Sequence, residues 1–104
     1  MLYDGALQSL GQARDALARN DLAARTTAVS RTLAILTELQ GTLNVKEGGA
    51  IAEELDRLYA FSISRLLDVT TKRDQTAIED IVRVLTPLRD GWSQIAQQGI
   101  APEP

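Results

Sequence analysis

The segment that follows Asp74 carries the most regular apolar pattern in the chain. Large apolar residues recur there at intervals of three and four: Ile78, Ile81, Leu85, Leu88, Trp92 and Ile95. Because this spacing keeps the side chains on one face of an α-helix, the pattern predicts a helix that must bury that face against other elements. Asp74 is a credible N-cap for this helix, and the missing N–H of Pro87 predicts a kink inside it.

Three further segments show helical periodicity and short turn signals, which together predict an all-α fold, an antiparallel four-helix bundle. We expect helices over about 2–19, 22–43, 50–72 and 75–97, in one domain spanning 1–97, and a flexible C-terminal tail over 98–104. Asn20 is suited to end the first helix and Asp21 to cap the second. The run from Asn44 to Gly49 is the least helical stretch of the chain interior.

The second and third segments contain more apolar residues than one packing face needs. The predicted core stripe of the second helix is Leu22, Thr26, Val29, Leu33, Leu36 and Leu43, and a second apolar row beside it is Ala28, Thr32, Ile35 and Leu39. In the third helix the stripe is broadened by Ala52, Tyr59, Ile63 and Leu67, with Phe61 off its other flank. Such wide arcs indicate either a helix that packs against two neighbours or a groove that accepts a partner's amphipathic helix.

The available residue types leave little catalytic chemistry. His and Cys are absent, which removes imidazole bases, disulfides, thiol nucleophiles and Cys-based metal sites. The carboxylates of Glu53, Glu54 and Asp56 fit a weak divalent-cation site or, as we favour, a solvated face beside a helix N-terminus. Ser62 and Ser64 have no base to activate them. We therefore expect no enzyme activity, no metal and no cofactor.

Charge and hydropathy exclude two further classes of partner. The net charge of −3 comes from 14 acidic and 11 scattered basic residues, so the sequence has no basic stripe for nucleic acid. No apolar run approaches the roughly 20 residues that a membrane-spanning helix needs, and the N-terminus does not read as a secretion signal. We therefore expect a protein that does not bind nucleic acid and is not inserted in a membrane.

Four blocks of the sequence match a known pattern. They are Met-Leu-Tyr-Asp-Gly-Ala at 1–6, Ile-Leu-Thr-Glu-Leu-Gln-Gly-Thr-Leu-Asn at 35–44, Glu-Gly-Gly-Ala-Ile-Ala with Leu55, Leu58 and Tyr59 over 47–59, and Leu-Arg-Asp-Gly-Trp at 88–92. In this order, and over nearly the whole chain, they resemble motifs of the FliS family of flagellar export chaperones. Four positions depart from the usual family residues: Asn44, Phe61, Pro87 and Gly91.

The resemblance implies a cytoplasmic chaperone that binds the disordered C-terminal region of flagellin, prevents its premature polymerisation and delivers it to the export apparatus. It implies no ATP, because masking is stoichiometric. A helical adaptor or secretion chaperone for a different substrate remains the alternative. From helix geometry, we expect the partner to contact apolar residues and a polar rim: Ile35, Leu39, Ile51, Leu55, Tyr59 and Ile63, with Arg65 and Arg89 at the rim.

The block at 1–6 resembles the end of the family's N-terminal segment, and the family carries further residues before it, including a segment that covers part of the flagellin site. We therefore expect the groove of this chain to be more exposed than that of a full-length member. Exposed apolar surface favours self-association, so we also expect that a homodimer can form.

Overall fold

A computed structural model describes the backbone of residues 2–43 and 45–97 and the side chains of residues 2–43 and 49–91. This part of the chain contains four helices and no strand: α1 (Leu2–Ala18), α2 (Leu22–Gly41), α3 (Val45–Lys72) and α4 (Gln75–Gln97). The predicted all-α class is therefore confirmed. The predicted tail at 98–104 lies outside the described residues.

The helices pack as a closed ring in which α1 and α3 each contact both α2 and α4. Hydrogen bonds between side chains fix the helix directions. Gln40 of α2 donates to Asp56 of α3 at 3.1 Å, and Arg65 of α3 donates to Asp80 of α4 at 3.1 Å. In both pairs, a residue in the C-terminal half of one helix faces a residue in the N-terminal half of the next helix, so the two paired helices are antiparallel. The predicted antiparallel four-helix bundle is confirmed.

The apolar seam of α4 faces the core as its spacing predicts. Its described members are buried or half-buried: Ile78, Ile81, Leu85 and Leu88. The side chains of Trp92 and Ile95 lie outside the described residues. The helix continues through Pro87, which is exposed, as far as Gln97. The missing N–H of the proline therefore removes one backbone hydrogen bond without ending the helix.

The buried face of α2 differs from the predicted core stripe. Its buried residues are Arg25, Ala28, Thr32, Leu36 and Leu39. Of the predicted stripe only Leu36 is buried, whereas Leu22 is 60% and Leu33 is 37% exposed. The predicted orientation of α2 is therefore wrong, because the side that carries Ala28, Thr32 and Leu39 faces the core and the side that carries Leu22 and Leu33 does not.

Packing against α1 explains this orientation. The buried face of α1 is made largely of small residues: Ala6, Ser9, Ala13 and Ala16. Small residues on both helices let their backbones approach closely, and α1 and α2 form the most extensive helix pair of the bundle. Thr32 fits this interface because its hydroxyl donates to the carbonyl of Ala28 at 2.9 Å, so burial leaves no unpaired polar atom there.

The chain reversals follow the predicted capping chemistry. Asp21 caps α2, with its carboxylate accepting from the N–H of Ala24 at 3.0 Å, and Asn20 adopts a left-handed φ of 57°. Asp74 likewise accepts from the N–H of Thr76 at 3.0 Å. The helix α3 begins before the predicted start at Ala50, and its irregularity is confined to Gly49, which has φ 60° and ψ −137°. Only glycine adopts this conformation at low cost.

Candidate partner-binding surface

Two of the eight predicted contact residues, Leu39 and Tyr59, lie in the hydrophobic core with only 1% and 2% exposure. They stabilise the bundle and present almost no surface to a partner in this conformation. The helix rows that contain them are apolar because α2 and α3 each pack against two neighbouring helices. At these two positions, the wide apolar arcs predicted from sequence therefore serve core packing. We therefore leave both residues out of the surface defined below.

Tyr59 forms a polar contact inside the core. Its hydroxyl is hydrogen-bonded to the hydroxyl of Tyr3, so the pair links the diagonal helices α1 and α3 across the bundle. Burial, reinforced by the hydrogen bond with Tyr3, raises the pKa of Tyr59 far above its ordinary value. The hydroxyl therefore stays protonated and serves a structural role.

Four predicted contacts are partly or largely accessible. Ile35, Leu55 and Ile63 are half-buried and pack against the core, whereas Ile51 is 76% exposed. Ile35 faces α1, because its Cδ1 atom would lie 3.3 Å from a Cβ added at Gly5. Ile35 is therefore on the α1 side of α2, away from the edge that α2 shares with α3.

Arg65, a predicted rim residue, is held in a network of carboxylates at the α3–α4 turn. Its guanidinium lies 2.7 Å from Asp68, 3.1 Å from Asp80 and 3.5 Å from Asp74. The side chain is only 23% exposed. Its partners come from α3, the turn and α4, so the network links the two helices. It also occupies the N–H donors of the Arg65 guanidinium.

Arg89, the other predicted rim residue, lies on α4 beside α1. It donates to the neighbouring Asp90 at 3.0 Å and lies 3.8 Å from the carboxylate of Asp4 on α1. These are solvent-accessible ion pairs that contribute little to stability, so Arg89 remains accessible to a partner. Its position on the α1–α4 side separates it from the exposed leucines of α2 and α3.

The hydrogen bond between Gln40 and Asp56 identifies the edges of α2 and α3 that face each other. On α2, positions 7, 11 and 18 residues before Gln40 share its side of the helix, and on α3, positions 7 and 11 residues after Asp56 do so. These positions hold apolar residues: Leu22, Val29 and Leu33 on α2, and Ile63 and Leu67 on α3. We call these five residues the α2–α3 face.

The α2–α3 face combines half-buried and exposed side chains. Val29 and Ile63 pack against the core, whereas Leu22, Leu33 and Leu67 are 60%, 37% and 58% exposed. In antiparallel helices with this register, Leu33 lies at the level of Ile63 and Val29 at the level of Leu67. Single exposed leucines are common, but apolar residues aligned along two adjacent helices are typical of a protein-binding surface.

Phe61 provides a contrast on the same helix. It is 44% exposed and lies four residues before Arg65, which bonds to α4. It is six residues from Leu67, which on an α-helix corresponds to about 120° around the axis. Phe61 therefore lies on the α4 side of α3, outside the α2–α3 face.

Sequence reasoning included only Ile63 of the α2–α3 face among its predicted contacts. It noted that Leu67 broadens the apolar stripe of α3 but assigned Leu22, Val29 and Leu33 to the core. The signal that identifies them is the polar Gln40 in the same row, which the structure pairs with Asp56 at the helix edge. A polar residue inside an apolar row marks an edge of a helix that solvent can reach.

The described residues offer no site for a metal ion. No cluster of three or more ligating side chains occurs among them. Within the predicted carboxylate cluster, Glu54 pairs with Arg57 at 2.7 Å and Asp56 accepts from Gln40. No helix in the described part of the chain is long and apolar enough to cross a membrane.

Comparison with known proteins identifies relatives over nearly the whole chain. The family model described as Flagellar protein FliS matches residues 1–99. The flagellar secretion chaperone FliSB of Pseudomonas aeruginosa is 30% identical over 96 residues, which cover 92% of this chain and 76% of the relative. The flagellar secretion chaperone FliS of Salmonella typhimurium is 36% identical over 97 residues, covering 92% of this chain and 72% of the relative. FliS of Campylobacter jejuni is 32% identical over 95 residues, covering 91% and 74%.

Proposed function

Because this chain belongs to the FliS family of flagellar proteins, we propose that it is a flagellar secretion chaperone that binds the C-terminal region of flagellin in the cytoplasm. In this role it keeps flagellin from polymerising before export and presents it to the export apparatus. Masking is stoichiometric, so the function requires no catalysis, cofactor or nucleotide. The relatives are chaperones by name.

The observation that carries the proposal is the α2–α3 face. Its exposed leucines lie on two adjacent antiparallel helices, and such a surface can accept an apolar helix face or an extended apolar segment. A disordered segment that orders on binding loses about 2–5 kcal/mol or more of interaction energy to ordering. A long apolar surface on a preformed bundle offsets this loss, because the bundle itself is already ordered.

The test is isothermal titration of the protein with a peptide that covers the C-terminal region of flagellin from the same organism. We expect saturable one-to-one binding with a negative heat-capacity change, the signature of apolar burial coupled to ordering. A peptide with the same composition in scrambled order is the control for the ligand. No saturable heat from a protein shown to be folded and helical would reject flagellin as the partner and favour an adaptor for another substrate.

Matched variants locate the binding surface. We expect Leu33→Ser and Leu67→Ser each to remove about 1–2 kcal/mol of binding free energy, which is roughly a five- to thirty-fold loss of affinity. Phe61→Ser is the control, because it removes a similarly exposed apolar side chain from the α4 side of α3. If all three variants lose affinity equally, or only Phe61→Ser does, the α2–α3 face is not the binding surface, even where flagellin binds.

A further inference from the structure

A small cleft lies at one end of the bundle, where the α1–α2 turn meets the end of α3. Its lining includes Asn20 and Asp21 from the α1–α2 turn, Leu22 and Arg25 from α2, and Arg73 from the α3–α4 turn. The cleft has a volume of about 20 Å³, which is room for a single water or a single oxygen atom of a larger group. Leu22 also belongs to the α2–α3 face, so the cleft adjoins one end of that surface.

Arg25 is the unusual residue of this cleft. It is 8% exposed, yet its side chain makes no hydrogen bond, ion pair or ring contact with any residue that the structure describes. No fully buried side-chain nitrogen is left unpaired in the described part of the chain, so the unpaired guanidinium nitrogens of Arg25 all retain some contact with solvent. A cation that is nearly buried without a partner is unfavourable, and an anion placed against it removes that cost.

Two positively charged side chains at the cleft, those of Arg25 and Arg73, have no acidic partner among the described residues. Arg73 is exposed and makes no ion pair within the described residues. Asp21 is the acidic residue of the lining, but one of its oxygens accepts from the N–H of Ala24 at 3.0 Å and the other lies 3.9 Å from Arg19. The charge of Asp21 is thus paired locally, and the positive end of the α2 dipole adds to the charges of Arg25 and Arg73.

We propose that this cleft binds one small oxyanion, a phosphate or a carboxylate, that inserts one oxygen beside the guanidinium of Arg25 while Arg73 contacts the group from the solvent side. The volume admits the oxygen and not the whole group, so the rest of the anion lies outside the cleft. The same chemistry accepts a free inorganic anion or a carboxylate of a bound polypeptide. The site is independent of the flagellin proposal, because it rests on Arg25 and its surroundings alone.

The test is a titration of the uniformly ¹⁵N-labelled protein with sodium phosphate and, separately, with sodium acetate, at ionic strength held constant with sodium chloride. We expect saturable shifts of the backbone amides over 20–25 and at residue 73. Shifts that are unsaturable, spread over the surface or identical to those in chloride would overturn the proposal. Competition by the flagellin peptide against bound phosphate would assign the natural oxyanion to a polypeptide carboxylate, and lack of competition would assign it to a free anion.

Variants separate the site from general charge effects. Arg25→Met keeps an unbranched side chain of similar length and should weaken phosphate binding by roughly tenfold or more, since it removes the charge-assisted hydrogen bonds. Arg73→Met, at an exposed position, should weaken binding less and tests the site even if Arg25→Met does not fold. Arg31→Met is the control, because Arg31 is an exposed arginine of the same helix outside the cleft. Equal weakening by Arg31→Met would reject a specific site.

Discussion

The orientation of α2 yields the sharpest prediction, because the sequence pattern and the structure rank the burial of two leucines in opposite order. The apolar pattern predicts Leu33 as a core residue and Leu39 as a surface contact. In the structure, Leu39 is 1% exposed and Leu33 is 37% exposed. Replacing each of them by alanine in turn measures which one the core requires, with the same chemical change made on the same helix.

The expected magnitudes follow from burial. Leu39→Ala removes a fully buried side chain and leaves a cavity, which destabilises the fold by about 2–5 kcal/mol. Leu33→Ala removes a side chain that already meets solvent, so it leaves no closed cavity. Full burial of a leucine contributes about 1.5–3 kcal/mol, and the buried part of Leu33 accounts for about 1–2 kcal/mol of that. The midpoints of these ranges differ by about 2 kcal/mol, so we expect Leu39→Ala to be the more destabilising change by about that amount.

Urea unfolding followed by far-ultraviolet circular dichroism measures both free energies of unfolding, and thermal unfolding supplies an independent ranking. For a domain of this size, 1 kcal/mol shifts Tm by about 4–8 °C, so the difference is well resolved. Leu39→Met, which keeps most of the volume, should cost less than about 1.5 kcal/mol and confirms that the loss reflects the cavity. A Leu33→Ala variant as unstable as Leu39→Ala would refute the orientation of α2 and the α2–α3 face together.

Three further predictions concern the tyrosine pair and the glycines. Tyr3→Phe should lower the free energy of unfolding by about 1–3 kcal/mol, because it leaves the buried hydroxyl of Tyr59 without its partner. In urea unfolding, the double variant with Tyr59→Phe should lose less free energy of unfolding than the sum of the two single variants. Since the folded-state pKa of Tyr59 is raised above the ordinary value of 10.0, its stabilising contribution is complete below about pH 10 and falls at higher pH by about 1.4 kcal/mol per pH unit. Urea unfolding at rising alkaline pH should show this slope, and a Tyr59→Phe variant that retained it would contradict the assignment. Gly49→Ala should destabilise the fold by about 1–3 kcal/mol, because alanine rarely adopts the positive φ of this position. Gly11→Ala should stabilise the fold by about 0.5–1 kcal/mol, because an added Cβ there meets nothing within 4 Å. Thermal unfolding measures both changes.

The parts of the fold that were predictable from sequence depend on local chemistry. The capping roles of Asp21 and Asp74, the left-handed Asn20 and the inward seam of α4 each follow from a few neighbouring residues. Caps and turns are set by backbone groups within a few residues, and the α4 seam has no competing apolar row. Local rules therefore sufficed for the helix count, the helix order and the bundle.

The orientation of α2 could not be obtained in the same way. The row containing Leu33 is more hydrophobic than the row containing Ala28 and Thr32, so hydrophobic periodicity alone selects the wrong face. The buried face of α2 is set by the small residues of α1, which lie far away in sequence and allow the two helix backbones to approach closely. The kink of α3 at Gly49 and the pairing of Arg65 with Asp80 likewise depend on the assembled structure.

The packing of α1 on α2 also accounts for the apolar surface. Because small residues of α2 pack against α1 in that interface, Leu22 and Leu33 are turned toward the edge that α2 shares with α3. Leu22 and Leu67 are more than half exposed there, so smaller or polar residues at these positions would leave the core intact. Folding therefore does not require large apolar side chains at these two positions, whereas contact with an apolar partner does. Stability and affinity are consequently separable at Leu22 and Leu67, where a polar substitution should lower the affinity for the partner and leave the free energy of unfolding nearly unchanged.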